Sequence, residues 1–202
     1  MSSSVSIRLA SLDDALFAAE MLHLSMSGLA DYLFEETSQP LVTQLERLFA
    51  RNAGRFGVEL ACVAEVEGKP YGVMFSSAGA RLDLLNLAVF PHLFPVMGFA
   101  PALRFIWRGA RLPGGAEAKR DEYYISNIGV HPSAQGQGIG SRFLAFAEQA
   151  AREKNLEKCS LLVSLHNVDA FRLYQRAGYQ VVETVHDKNE NLGYHRMVKQ
   201  LP

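Results

Sequence analysis

The sequence predicts an α/β fold in which helices layer a mixed sheet, and three observations predict it. Apolar residues recur with a period of two in some runs and of three to four in others, and the two kinds of run alternate along the chain. Clusters of Gly, Pro, Asn and Asp punctuate them. With 202 residues and 49% hydrophobic content, the chain holds enough apolar surface for the core of one domain over residues 1–202.

Ile7-Arg8-Leu9 reads as a short first strand. Ser11 or Asp13 can cap a helix carrying Leu16, Ala19, Glu20, Leu22, His23 and Met26 toward Gly28. A second helix is expected from about Pro40 to Ala53, with Leu41, Leu45, Leu48 and Phe49 at helical spacing and Gly54 as its stop. The period then changes. Residues 58–66 and 71–76 read as paired strands joined by Glu67-Gly68-Lys69-Pro70, where Gly68 tolerates positive φ. Residues 123–130 form the next strand, and Ile139, Phe143, Phe146, Ala147 and Ala150 mark one face of the helix that follows. Residues 158–165 are a further strand, followed by a helix opened by Asn167 and stopped by Gly178. Residues 179–186 and 194–201 close the sheet as a hairpin across 187–193.

An insert at about residues 80–120 interrupts this order. From 84 to 103 there is no Asp, Glu, Lys or Arg, a length that passes a crude membrane-span filter. Pro91, Pro95 and Pro101 argue against a span, because each removes a donor and interrupts helical bonding that lipid cannot replace. A short helix or loop over the sheet is expected, lining a substrate cavity or a contact in a homodimer. Its Arg104, Arg108 and Arg111 face an acidic ligand or simply solvent. Residues 109–119 read as an exposed linker.

Lys and Arg total 20 against 21 Asp and Glu, a net charge of −1 that provides no global field for nucleic acid. The opening Met1-Ser2-Ser3-Ser4-Val5-Ser6 has neither a basic nor an apolar leader region, so a cytoplasmic enzyme with no membrane association is expected. Cys62 and Cys159 lie in apolar runs without zinc-site spacing, and the six histidines form no ligand motif. No metal is expected.

The segment richest in chemical information is Gln135-Gly136-Gln137-Gly138-Ile139-Gly140, between a strand ending at Val130 and a helix beginning near Ile139. Glycines there let backbone N–H groups turn inward together, and the helix adds unpaired N–H groups and its positive dipole end. A diphosphate fits such a nest, although the same residues also suit a tight turn that binds nothing. A triphosphate P-loop is excluded by the missing Gly-Lys-Ser/Thr, and the dinucleotide fingerprint by Ser141 where glycine is required.

The run Ile128-Gly129-Val130-His131-Pro132-Ser133-Ala134-Gln135-Gly136-Gln137-Gly138-Ile139-Gly140, followed by Asn167-Val168-Asp169-Ala170-Phe171-Arg172-Leu173-Tyr174-Gln175-Arg176-Ala177-Gly178-Tyr179, resembles the GNAT superfamily of acyl-CoA-dependent N-acetyltransferases. The resemblance is strongest from 122 to 179 and does not cover the apolar insert. It implies a mostly antiparallel central sheet with helices on both faces and a splayed strand pair that takes the CoA arm. Gln135, Gly138 and Gly140 match the family's Q/R-x-x-G-x-G/A loop, so the amides of Gln135, Gly136, Gln137, Gly138, Ile139, Gly140 and Ser141 are implied to hold the diphosphate of acetyl-CoA. Gly136 departs from the basic side chain many members carry there. Main-chain groups around Ile128, Gly129 and Val130 are implied to pair with the pantetheine arm, and Asn167 and Ala170 to lie along it.

By the same resemblance Tyr174 sits beside the CoA sulfur and protonates the departing thiolate. Without it, Tyr174 reads as a core residue packing on Phe171. Glu122, placed by period two on the face of Tyr124, Ser126, Ile128 and Val130, matches the offset of a catalytic glutamate in ribosomal-protein N-terminal acetyltransferases of the superfamily. It reads equally as a carboxylate ending a charged linker. Tyr124, Ser126 and Asn127 either line an amine pocket or pack the sheet. The expectation is direct acyl transfer from acetyl-CoA to a primary amine of a small molecule or peptide in a ternary complex. The alternative is a catalytically silent acyl-CoA-binding regulatory module.

Overall fold

The computed structural model describes residues 5–26, 28–34, 39–189 and 192–202. Residues 1–4, in the start expected to lack a leader, and 190–191, within the expected hairpin turn, lie outside the described residues. The elements run β1 (Val5–Leu9), α1 (Ala15–Met26), α2 (Gly28–Phe34), α3 (Leu41–Ala50), β2 (Ala61–Val66), β3 (Lys69–Ala78), α4 (Leu82–Met97), α5 (Phe99–Gly109), β4 (Glu122–Val130), α6 (Ile139–Glu153), β5 (Lys158–Ser164), α7 (Val168–Arg176), β6 (Gln180–Val185) and β7 (Tyr194–Gln200). Among the described residues the strands form one sheet in the order β1-β2-β3-β4-β5-β7-β6. Of the strand pairs among the described residues, only β4 and β5 run in parallel.

The central strands are buried on both faces, which explains the nearly continuous apolar runs of β2 and β3. Val63, Val73 and Phe75 face a core built with Leu22 of α1, Leu45, Leu48 and Phe49 of α3, and Val89 and Leu93 of α4. Cys62, Ala64 and Met74 point the other way, toward Ile139, Phe143, Leu144 and Ala147 of α6 and Tyr174 of α7. Ser11 starts the first helical turn through a reciprocal cap with Asp14, whose carboxylate accepts the Ser11 amide at 2.8 Å. Between β2 and β3 the two-residue turn places Glu67 at φ 52° and Gly68 at φ 74°.

Two local expectations need correction. Gly28 opens α2 rather than ending the preceding helix. The burial of Ala30, Leu33 and Phe34 outweighs the roughly 1 kcal/mol that glycine costs in a helix. Phe34 meets Phe105 edge-on at 5.0 Å and so ties α2 to α5. The insert, in turn, is two helices, and α4 runs unbroken through Pro91 and Pro95. These prolines are one turn apart on the exposed side, so the carbonyls they deprive of partners turn to water. No helix among the described residues is long and apolar enough to cross a membrane.

The irregularity that shapes the site lies in β4. Its register with β3 shifts between Phe75 opposite Asn127 and Ser76 opposite Ile125, leaving Ser126 as the extra residue of a bulge. The expected shared face of Glu122, Tyr124, Ser126, Ile128 and Val130 is thereby broken. Tyr123 and Ile125 share the α6–α7 core with Ile128 and Val130, while Tyr124 packs with Leu82 and Ala118 on the opposite side. One inserted residue inverts the alternation beyond it.

Candidate active site

The parallel ladder between β4 and β5 runs from Glu122 opposite Lys158 to Ile125 opposite Leu161. Beyond it β4 continues to Val130, whereas β5 stays paired with β7 up to Ser164 opposite Tyr194. The two central strands therefore part at Ser126, where the bulge bends β4. Residues 126–130 of β4 have no ladder to β5, which leaves main-chain groups for an extended ligand to pair with.

The glycine turn stands at the end of that free stretch. Gln135 donates from Nε2 to the Val130 carbonyl at 3.2 Å, and Gln137 from Nε2 to the Ser133 carbonyl at 3.1 Å, which closes the loop on itself. Gly136 at φ 76° and Gly138 at φ 82° occupy the left-handed region, and a Cβ at either would project into open space. Their requirement is backbone conformation. Gly140 lets α6 approach α7 closely: a Cβ there would stand 2.8 Å from Cδ2 of Leu173, the end of a flexible side chain that would have to shift. Gly138 caps α6 and its carbonyl accepts the Arg142 amide, so the amides of Ile139, Gly140 and Ser141 precede the first intrahelical bond. A left-handed turn opening a helix, with space before it, fits a diphosphate.

Tyr174 is buried on α7 in the same core as Ile128 and Val130. Its ring neighbours Tyr179 at 6.3 Å, while Phe171, its expected packing partner, stacks on His195 at 4.9 Å. Burial pushes the Tyr174 phenol up to about 12. Asn167 is exposed and caps α7, its Oδ1 accepting the Ala170 amide at 3.1 Å. That leaves the amide nitrogen for a ligand. Ala170 is half-buried against the α6–α7 core.

Glu122 does not lie at the end of an exposed linker. It is buried, forms an ion pair with Arg196 of β7, and accepts the Lys119 amide at 2.9 Å. Desolvation opposes ionisation, but the Lys119 amide and the Arg196 guanidinium outweigh it and hold the carboxyl below its ordinary range. A carboxylate so stabilised has little affinity for a proton from an ammonium group, which argues for a bracing role over its expected use as the base. Arg196 carries no motif in the sequence. Its trace there is a charge beside Met197 in a strand whose neighbours are buried, but sequence does not say which acid answers it.

A second network was also hidden. Arg55 grips Glu117 with two bonds of 2.7 Å and reaches Asn86 Oδ1 of α4 at 3.1 Å, and the Tyr124 hydroxyl donates to Glu117 at 2.7 Å. Despite desolvation, Arg55 and these bonds hold the Glu117 carboxyl down at about 2. The segment expected as an exposed linker is thus pinned to β4, with Ala118 buried. Just past the bulge, Asn127 donates from Nδ2 to Ser25 Oγ at 3.1 Å, joining β4 to α1. Of the insert arginines, Arg108 donates to the Tyr32 carbonyl at 2.9 Å and Arg111 stacks 3.6 Å above the Trp107 ring.

A sheet that opens at a bulge beside a glycine nest is the acetyltransferase architecture. One acetyltransferase crystal structure superposes with a TM-score of 0.73 at 22% identity, covering 98% of this chain and 100% of that one. An N-acetyltransferase, PaiA of Thermoplasma acidophilum in complex with coenzyme A, does so with 0.54 at 15% identity, over 98% and 99%. The model of the acetyltransferase (GNAT) family matches residues 28–179, and the chain belongs to that family. The chloroplastic GCN5-related N-acetyltransferase 6 of Arabidopsis thaliana is 32% identical over 145 residues, 66% of this chain and 46% of the relative. The chain spans about half the length of the first curated relatives it matches.

Proposed function

We propose that the chain transfers an acetyl group from acetyl-CoA to a primary amine of a small molecule or peptide, with both substrates bound together. The observation carrying this reading is the opening of β4 from β5 at Ser126, on the strand that leads into the left-handed glycine turn and whose Ile128 and Val130 share a core with Tyr174. The amides of 135–141 would hold the diphosphate, the free stretch at Ile128, Gly129 and Val130 would take the arm, and the nitrogen of Asn167 would meet it near Ala170. A bound donor supplies the activated thioester.

The chain's own contribution is alignment and proton control. Holding amine and thioester together makes the attack effectively unimolecular. One C–N bond forms, the C–S bond breaks, and the proton lost by the amine is balanced by one gained at sulfur. Tyr174, its phenol held up at about 12, stays protonated through neutrality and donates a hydrogen bond to the developing thiolate. Full transfer from such a phenol to a thiolate whose acid has pKa ~8.5 is uphill by roughly 3.5 units, so Tyr174 keeps its proton and stabilises the leaving thiolate by hydrogen bonding, while sulfur takes its proton from solvent as the amine releases one there. Glu122 braces β4 against β7, and the amine proton leaves through solvent.

The test is thiol release from acetyl-CoA across a panel of amines, amino acids and peptides, with calorimetric CoA binding measured in parallel. Tyr174→Phe should lower turnover by about 100-fold or more while leaving CoA affinity near its starting value. Undiminished turnover removes the role of Tyr174. CoA binding with no transfer to any amine restores the silent-module reading.

A further inference from the structure

We infer that the outer face of the α4–α5 hairpin is a self-association surface, on which a second copy of this chain packs through the same two helices. The helices are joined at Gly98, where φ is 84°, and Phe94 and Phe99 contact across the junction at 5.7 Å. Their inner residues, among them Val89, Leu93, Ala102 and Phe105, belong to the core. Their outer residues are apolar as well. Leu84, Leu87 and Phe90 of α4 and Phe99, Leu103 and Trp107 of α5 stand 36% to 71% exposed.

Applied to side chains of roughly 200 Å² each, those fractions amount to on the order of 700 Å² of apolar surface. The largest patch on a typical monomer is about 300–600 Å², and a stable protein interface buries about 800 Å² from each partner. The face therefore has the area of half a dimer contact. A two-fold axis lets one patch satisfy itself, so no complementary cleft is needed elsewhere on the molecule.

Charge selects this occupant over an anionic lipid surface. A membrane-lying helix pairs its apolar face with a lysine- and arginine-rich polar one, whereas residues 84–103 contain neither and the two arginines inside α5, Arg104 and Arg108, are half-buried. Arg108 is turned inward to the Tyr32 carbonyl, and Arg111 lies flat on Trp107. A tryptophan capped by an arginine, on helices that also expose leucine and phenylalanine, has the composition of a protein contact centre.

Sedimentation equilibrium of the 202-residue chain up to about 100 µM, with flotation on phosphatidylserine/phosphatidylcholine vesicles alongside, tests this. The chain should be a dimer that does not float. Leu87→Glu/Phe99→Glu should weaken dimerisation by about 100-fold or more with the thermal transition retained, and Leu84→Lys/Leu103→Lys should do the same if the first pair fails to fold. A monomer throughout the range, a dimer indifferent to the folded variants, or a monomer that floats with vesicles would each overturn the proposal. None of these readouts depends on acetyl transfer.

Discussion

Glu122→Gln separates a brace from a base. The side chains of Glu122 and Arg196 are 2% and 6% exposed, so the substitution removes the negative charge from an almost dry pair and leaves the guanidinium uncompensated. Breaking one partner of a buried pair costs about 3–5 kcal/mol. Because glutamine can still accept the Lys119 amide, the lower end, about 3 kcal/mol, is expected. For a chain of this length each kcal/mol lowers the melting temperature by about 2–4 °C, giving a fall of about 6–12 °C by calorimetry. Turnover at 25 °C, where the variant remains folded, should stay within about threefold of the parent. A general base predicts the opposite: a loss of about 10²–10⁴ in rate with little change in melting. That result would refute the assignment. Replacing both partners, Glu122→Gln with Arg196→Met, should recover most of the lost stability, since no unpaired charge then remains.

Gly138→Val should cost about 1–2 kcal/mol, because a β-branched residue resists φ 82°, and should weaken CoA binding measured by calorimetry while Gly68→Val leaves binding unchanged. With Glu122 and Glu117 both held as paired anions, the rate profile should rise with pH until the acceptor amine's own pKa; a plateau set near pH 6–7 by an enzyme group would contradict the solvent route. Acid stability follows the same pairs. Glu117 sits at about 2 in the folded chain against ~4.3 unfolded, so its contribution is complete above about pH 5 and lost as pH falls toward 2. Glu117→Gln should flatten that limb of a pH-resolved denaturation series, and an unchanged limb would deny the pairing its role.

Much of the donor side was legible in the sequence, because its determinants are local. Positive φ at 136 and 138 favours glycine, a helix start at 139 exposes its own amides, and Asn167 caps the helix that carries Tyr174. Each of these depends on neighbours within a turn, so residue types at fixed spacing report them. The strand and helix periods likewise follow from which residues are apolar, and they were readable wherever a single face is buried.

Register and pairing across the fold were another matter. The Ser126 bulge leaves no mark in composition, yet it decides that Ile128 and Val130 share a face with Tyr123 and Ile125, and it places the opening of the sheet. Glu122 looked like a free acid because its partner is 74 residues away, and Glu117 like linker because Arg55 is 62 away. The apolar insert was visible as composition, but which of its leucines turn inward depends on α2, α3 and the sheet beneath. Local chemistry therefore determined the nest and the helix ends. Long-range packing alone decided which charges neutralise one another, where the strands part and which apolar face is left for a partner, because those choices rest on contacts between segments far apart in the chain.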